Sequence, residues 1–137
     1  MSPETSKIYQ KVMLPAPPEV IYDMLTDPVR LSEMTGLAVE GKAEAGGRMI
    51  VGDGRIIFRF LELERGRWIS QEWTTSDWPG GVLPSKVEIG LRAIGQGTDL
   101  RLSHTGVPLA LRDGINQLWY DAYWNPMFEL LRSRALY

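Results

Sequence analysis

Few side chains in this sequence could do chemistry, and most of those that could are aromatic. The one histidine, His104, lies in a run, 98–105, where it shares a face with Leu100 and Leu102. Its ordinary pKa falls near neutrality, so it reads either as a polar anchor inside a cavity or as a hydrogen-bonded core residue. No acid stands beside it in sequence to orient it, which argues for the core role. Arg59 alternates with Ile57, Leu61 and Leu63. Its guanidinium would suit bidentate pairing with a carboxylate ligand, unless that face is half exposed or a bulge turns it outward. Trp73 ends a strand as core or cavity wall. Trp119, Tyr123 and Met127 stand in a C-terminal segment that also holds Tyr120, Trp124 and Phe128, rings that cover most sides of a helix. Either Trp119 and Tyr123 project into a ligand cavity, or half of the rings pack on a sheet and the rest are exposed or meet a second subunit. Trp78, beside Pro79-Gly80-Gly81, is either a lid at a cavity mouth or a ring pinning a surface loop. The candidate ligand-binding residues are thus Trp73, His104, Trp119, Tyr123, Met127 and Arg59; no catalytic residue is assigned.

Other chemistries are excluded by composition. With no cysteine there is no disulfide, thiolate zinc site or iron–sulfur cluster, and one histidine cannot build a histidine-rich metal site. No cofactor is expected. The balance of 15 basic against 17 acidic residues argues against nucleic acid as a partner. Glu62 and Glu64 spoil the one basic-aromatic run, Arg65-Gly66-Arg67-Trp68. The glycine pairs join strands rather than cradle phosphate before a helix, and no G-x-S-x-G elbow occurs. No apolar run is long enough to span a membrane, and the polar N-terminus carries no signal peptide, so a cytoplasmic location is expected.

The elements that must position these residues follow from periodicity. At 137 residues the chain is read as one domain, 1–137. Residues 7–14 alternate as a first strand, which Pro15, Pro17 and Pro18 stop. A short helix follows, with Glu19 near its start. Asp27-Pro28 caps and opens a second, whose greasy side is Val29, Leu31 and Met34 and whose end is Gly36. From Leu37 to Thr105 the pattern is β: Ile56, Phe58 and Phe60 on one side, Arg59, Leu61 and Leu63 on the other. After Gly106-Val107-Pro108 a helix runs to about Arg134, with Asp113 as a candidate cap. At Asn125-Pro126 it either kinks or starts a newly capped segment.

This order resembles the helix-grip fold of the START-like (SRPBCC) superfamily, and more closely the family of the activator of heat-shock protein ninety ATPase. The matching stretches are Ala16 to Tyr22, the Gly46-Gly47 turn, Gly54 to Trp73, Pro84 to Ile89, Gly97 to Gly106, and Tyr123 to Leu131. Where the family often has Trp near the end of the second helix, this chain has Met34. The resemblance implies an α+β fold: a curved antiparallel sheet of about six to seven strands wrapped around a long C-terminal helix, with two short helices after the first strand. It also implies a cavity between sheet and helix. The first expectation is a carrier or sensor of a small hydrophobic or amphipathic molecule, such as a lipid. The alternatives are a cyclase- or aromatase-like enzyme using the same cavity, and a stress-response interaction module with a chaperone partner. A homodimer stays open.

Overall fold

The structure, a computed structural model, describes residues 4–134. Period-two alternation makes β1 (Thr5–Leu14), two residues longer at its start than periodicity suggests. Pro17 and Pro18 then open α1 (Pro18–Thr26), since the first helical turn needs no N–H from them. Asp27 caps α2 (Pro28–Thr35): its carboxylate accepts from the N–H of Val29 at 2.9 Å and of Arg30 at 3.4 Å. Gly36, at φ 73°, ends that helix in a left-handed conformation that suits glycine. Leu31 and Met34, three apart, are buried, whereas Val29 is 75% exposed. It sits more than a quarter-turn from the other two, so it is not part of the apolar stripe.

Seven antiparallel strands follow one sheet order, β1-β7-β6-β5-β4-β3-β2. They are β2 (Val39–Gly41), β3 (Arg48–Val51), β4 (Ile56–Glu64), β5 (Trp68–Thr75), β6 (Ser85–Ile94) and β7 (Gly97–Pro108), with β1 returning to pair with β7. Each turn is short enough to make neighbours in sequence neighbours in the sheet, so only β1 crosses over. Two irregularities re-aim side chains. Leu61 has no partner between the Phe60–Gln71 and Glu62–Ser70 pairs, so beyond it Leu63 turns to the core side opposite Ile69. The expected shared face of Arg59, Leu61 and Leu63 is therefore broken. Gly106, at φ 73°, is the extra residue where Thr105 and Val107 pair with Lys7 and Ser6. It is a bulge inside β7 rather than the end of the strand.

The C-terminal helix lies across the concave face. A single 3₁₀ turn (Leu109–Leu111) leads into α3 (Arg112–Leu118), a π-helical stretch (Trp119–Trp124), and α4 (Asn125–Arg134). Asp113 does not cap it: its exposed carboxylate faces Arg112 at 3.4 Å. The backbone at Asn125 stays helical, and its N–H reaches the carbonyl of Tyr120, five residues back. Asn125 is therefore not a cap: α4 starts there as a direct continuation of the helical backbone. The core is one cluster that joins the inner face of the sheet, the buried sides of α1 and α2, and Ile115, Trp119, Tyr123, Trp124 and Met127.

Candidate functional site

The π-helical stretch determines how the aromatic residues meet. In an α-helix, side chains five apart point about 140° away from each other. The wider turn brings them into register, so the indoles of Trp119 and Trp124 stack at 5.5 Å between centroids and 15° between planes. Tyr123 tilts against Trp119 at 4.6 Å. Trp119, Tyr123 and Trp124 are thus gathered onto the buried side of the helix, whereas Tyr120 is half-buried and Phe128 is 41% exposed. From the sheet, Trp73 stacks on Trp119 at 5.8 Å, and its ring meets the His104 imidazole edge to face at 4.8 Å.

Strand register brings the polar members in. His104 pairs with Val87 across β6, and Val87 pairs with Gln71 across β5. Ser85 stands opposite Trp73. The imidazole bridges helix and sheet. The indole N–H of Trp119 donates to His104 Nδ1 at 3.1 Å, and His104 Nε2 lies 2.7 Å from Ser85 Oγ. An indole nitrogen can only donate, so Nδ1 is the acceptor and Nε2 carries the proton. The chain then runs from His104 Nε2–H to Ser85 Oγ, and from the Ser85 hydroxyl to the carbonyl of Trp73 at 2.8 Å. A second clamp is built on Gln10. Its Oε1 accepts from Trp124 Nε1 at 2.6 Å, and its Nε2 donates to the backbone carbonyl of Asn116 at 3.0 Å.

Electrostatically this interior is neutral. Burial pushes the His104 pKa down to about 3, so the ring is uncharged at neutral pH. Burial also raises the pKa of the Tyr123 phenol, which keeps its proton. The serine–histidine pair has the wrong polarity for nucleophilic catalysis: the serine oxygen accepts a hydrogen bond from the imidazole N–H instead of donating its own to the ring. The imidazole's lone pair is already occupied by an indole N–H, so it has none left to act as a base.

The aromatic rings fill the centre of the grip; the open space lies at its end. A cleft of about 480 Å³ is lined by Arg55, Thr75, Ser76 and Asp77 from the end of β5 and its surroundings, and by Leu111, Ile115 and Leu118 from the helix. Of the sequence candidates, Trp73, His104, Trp119 and Tyr123 come together, and Met127 is buried one turn further along the helix. Arg59 does not join them. Strand alternation puts it on the outer face, where it pairs with Glu72 at 2.8 Å with half of its side chain exposed. Trp78 pins its loop: its indole N–H donates to the Leu83 carbonyl at 3.2 Å, and its ring meets Trp73 edge to face at 6.3 Å.

Several residues of the site escape sequence reasoning. Gln71 was within reach, because it alternates with Ile69 and Trp73 on one face. The cleft was not, because its lining comes from three segments far apart in the chain. Among the described residues, no group of acids and histidine is placed to hold a metal, and no helix is long and apolar enough to cross a membrane.

The architecture defines the class: a curved antiparallel sheet gripping a C-terminal helix, with two short helices after the first strand. The model of the Activator of Hsp90 ATPase homolog 1-like family matches residues 15–132, and the chain belongs to that family. It is 24% identical over 123 residues to an uncharacterized protein of Schizosaccharomyces pombe, with 90% of this chain covered. It spans only 36% of that relative's length. Among solved structures, it resembles an HSP90 activator from Plasmodium falciparum at a TM-score of 0.85 and 21% identity, over 91% of this chain and 95% of that one. It also resembles the Aha1 dimer of Colwellia psychrerythraea at 0.78 and 17% identity, over 92% and 96%. At these identities the likeness to both is one of fold.

Proposed function

We propose that the protein binds, without transforming it, a small amphipathic molecule at the open end of the grip. The observation that carries this reading is the cleft of about 480 Å³, with an apolar helical side and a polar rim. A volume of that order suits a drug-sized molecule, and a few polar groups around an apolar floor is the usual composition of such sites. Trp73 and Trp119 are near Thr75 and Leu118 in sequence but are enclosed at 1% and 2% exposure, in the core rather than in the cleft lining. The inverted serine–histidine pair supports a binding role over a cyclase- or aromatase-like one. The test is native mass spectrometry of gently purified protein, followed by denaturation and identification of what is released. A bound apolar or amphipathic molecule supports the reading. A clean apo mass, together with no change in tryptophan emission across a panel of apolar aromatics, overturns it.

A second reading draws on the family itself, whose description names an Hsp90 ATPase activator, and on the similarity to a Plasmodium falciparum HSP90 activator. In that reading the chain is an interaction module in the stress response, with a chaperone as its partner. Stimulation of chaperone ATPase by the purified protein supports it; no effect at saturating concentration removes it. Pairing into a homodimer, as in the Colwellia psychrerythraea structure, is tested by sedimentation equilibrium.

A further inference from the structure

The outer face of the sheet, turned away from the grip, carries a hollow of about 520 Å³. Its floor follows from strand register. Lys11 on β1 stands opposite Arg101 on β7, Arg101 opposite Gly90 on β6, and Gly90 opposite Trp68 on β5. Their chain neighbours Gln10, Leu102, Ile89 and Ile69 are buried, so alternation turns this row outward. The row crosses four strands, about 14 Å. Gly90 opens the hollow. Its backbone is ordinary extended strand, which any residue adopts, and a Cβ there would meet only the Trp68 ring, at 3.9 Å. Neither the backbone nor the packing calls for glycine. A glycine inside a strand gives up stability, and such a gap often marks close approach by another molecule. What it leaves here is room beside an indole.

Charge narrows what fills that room. Lys11 and Arg101 are like charges directly opposite each other, an arrangement that repels. Asp99, two residues before Arg101, is 4% exposed and already faces two guanidiniums, Arg101 at 3.4 Å and Arg92 at 3.5 Å. Lys11 has no ion pair among the described residues. Glu88 also lines the hollow, but it stands two residues from Gly90 along β6 and faces Lys86 at 4.0 Å. Cations thus outnumber acids on this patch, on a chain whose net charge is -2. Exposed Tyr9 supplies a second ring at the edge. Flat rings stack on such aromatic faces, and an anion between Lys11 and Arg101 would relieve their repulsion. We infer that the hollow binds a planar aromatic anion, its ring laid over Gly90 against Trp68 and its acidic group between Lys11 and Arg101. This site lies on the opposite face of the sheet from the cleft and does not depend on the reading given for the cleft.

Titration with naphthalene-2-sulfonate, 2-naphthylmethanol and 2-naphthylmethylammonium at pH 7 presents one ring with three charges. Nitrogen-15 spectra follow the Trp68 indole N–H, identified by its loss in Trp68→Phe, and the Gly90 amide. The sulfonate should shift both signals and bind roughly 3- to 10-fold more tightly than the ammonium compound, the range of one or two partly screened ion pairs. That preference should shrink in about 1 M salt. Lys11→Gln, at an exposed position, should lower it by about twofold or more. Gly90→Val, which fills the hollow, should lower sulfonate affinity by about fivefold or more. Shifts at the Trp73 or Trp119 indoles with none at Trp68 would place the probe in the grip, overturning this site while the cleft reading stands. The site also falls if no probe moves the Trp68 signal, if the three probes bind equally, or if neither Lys11→Gln nor Gly90→Val changes sulfonate binding.

Discussion

His104 carries the most informative chemistry in the chain, and its environment makes it an acid sensor of folding rather than a catalyst. Its neighbours are Ile8 on β1, Val87 and Ser85 on β6, Trp73 on β5 and Trp119 on the helix, none of them charged. The folded-state pKa of about 3 lies below the ordinary 6.5, so the unfolded chain takes up a proton that the fold refuses. Stability is therefore complete above pH 6.5 and declines as the pH falls toward 3, by about 1.4 kcal/mol per unit. Asp99 titrates in a lower window. A hydrogen bond from Arg101, and then the charges of Arg101, Lys11 and Arg92, hold its carboxyl below the usual 3.8, so its contribution is lost only in stronger acid. Urea midpoints measured between pH 7 and pH 4.5 should fall steeply in the native protein. In His104→Gln, which keeps one donor and one acceptor, they should stay nearly flat over that interval. An equal slope in both proteins would mean that the acid sensitivity lies elsewhere.

At the scale of elements, the final helix depends on its π-helical turn. A proline inside a continuous α-helix costs about 3 kcal/mol, because it lacks a donor and crowds the preceding turn. Here Pro126 is the second residue of α4, just after a widened turn whose last bond runs from Asn125 to the Tyr120 carbonyl. The lattice of α-helical bonds is already shifted where the ring must fit. Pro126→Ala should therefore raise stability by less than about 1 kcal/mol in chemical denaturation. A gain near 3 kcal/mol would show that the ring strains the helix after all. The same turn explains why helical periodicity misplaced the aromatic residues: a stripe drawn at 3.6 residues per turn separates Trp119 from Trp124, whereas the real helix stacks them. Among the first elements, by contrast, local chemistry sufficed. The Asp27 cap and the Gly36 stop were both readable, because each acts within one helical turn.

For the whole molecule, the return of the first strand onto the last matters most. β1 returns to pair with β7 along its full length, and the turn from β6 brings Gly97 against the end of β1. A Cβ at Gly97 would sit 2.6 Å from the Leu14 carbonyl, a backbone atom held by the Leu14–Thr98 pairing. Gly97→Ala should thus destabilise by about 2 kcal/mol or more. Gly90→Ala, whose added carbon meets only the Trp68 ring at 3.9 Å, should stay within about 0.5 kcal/mol of the native protein. Thermal denaturation of the pair makes the comparison, and equal losses would mean that the close approach at Gly97 is not rigid.

The sequence by itself determined the order of elements, the helix boundaries set by Asp27, Pro28 and Gly36, the inward face of Ile56, Phe58 and Phe60, and the likeness to the helix-grip fold. These rest on period, capping and turn chemistry, which act over a few residues. Only the tertiary structure decided where Leu63 points, because one unpaired residue, Leu61, reverses the alternation beyond it, whereas Arg59 stands before it and keeps the outward side that alternation gives it. Only it showed that His104 spans Trp119 and Ser85 with its proton on Nε2, since that follows from partners 15 and 19 residues away. The cleft, likewise, belongs to no stretch of sequence: its walls meet because the sheet curls around the helix and brings residue 55, residues 75–77 and residues 110–118 together.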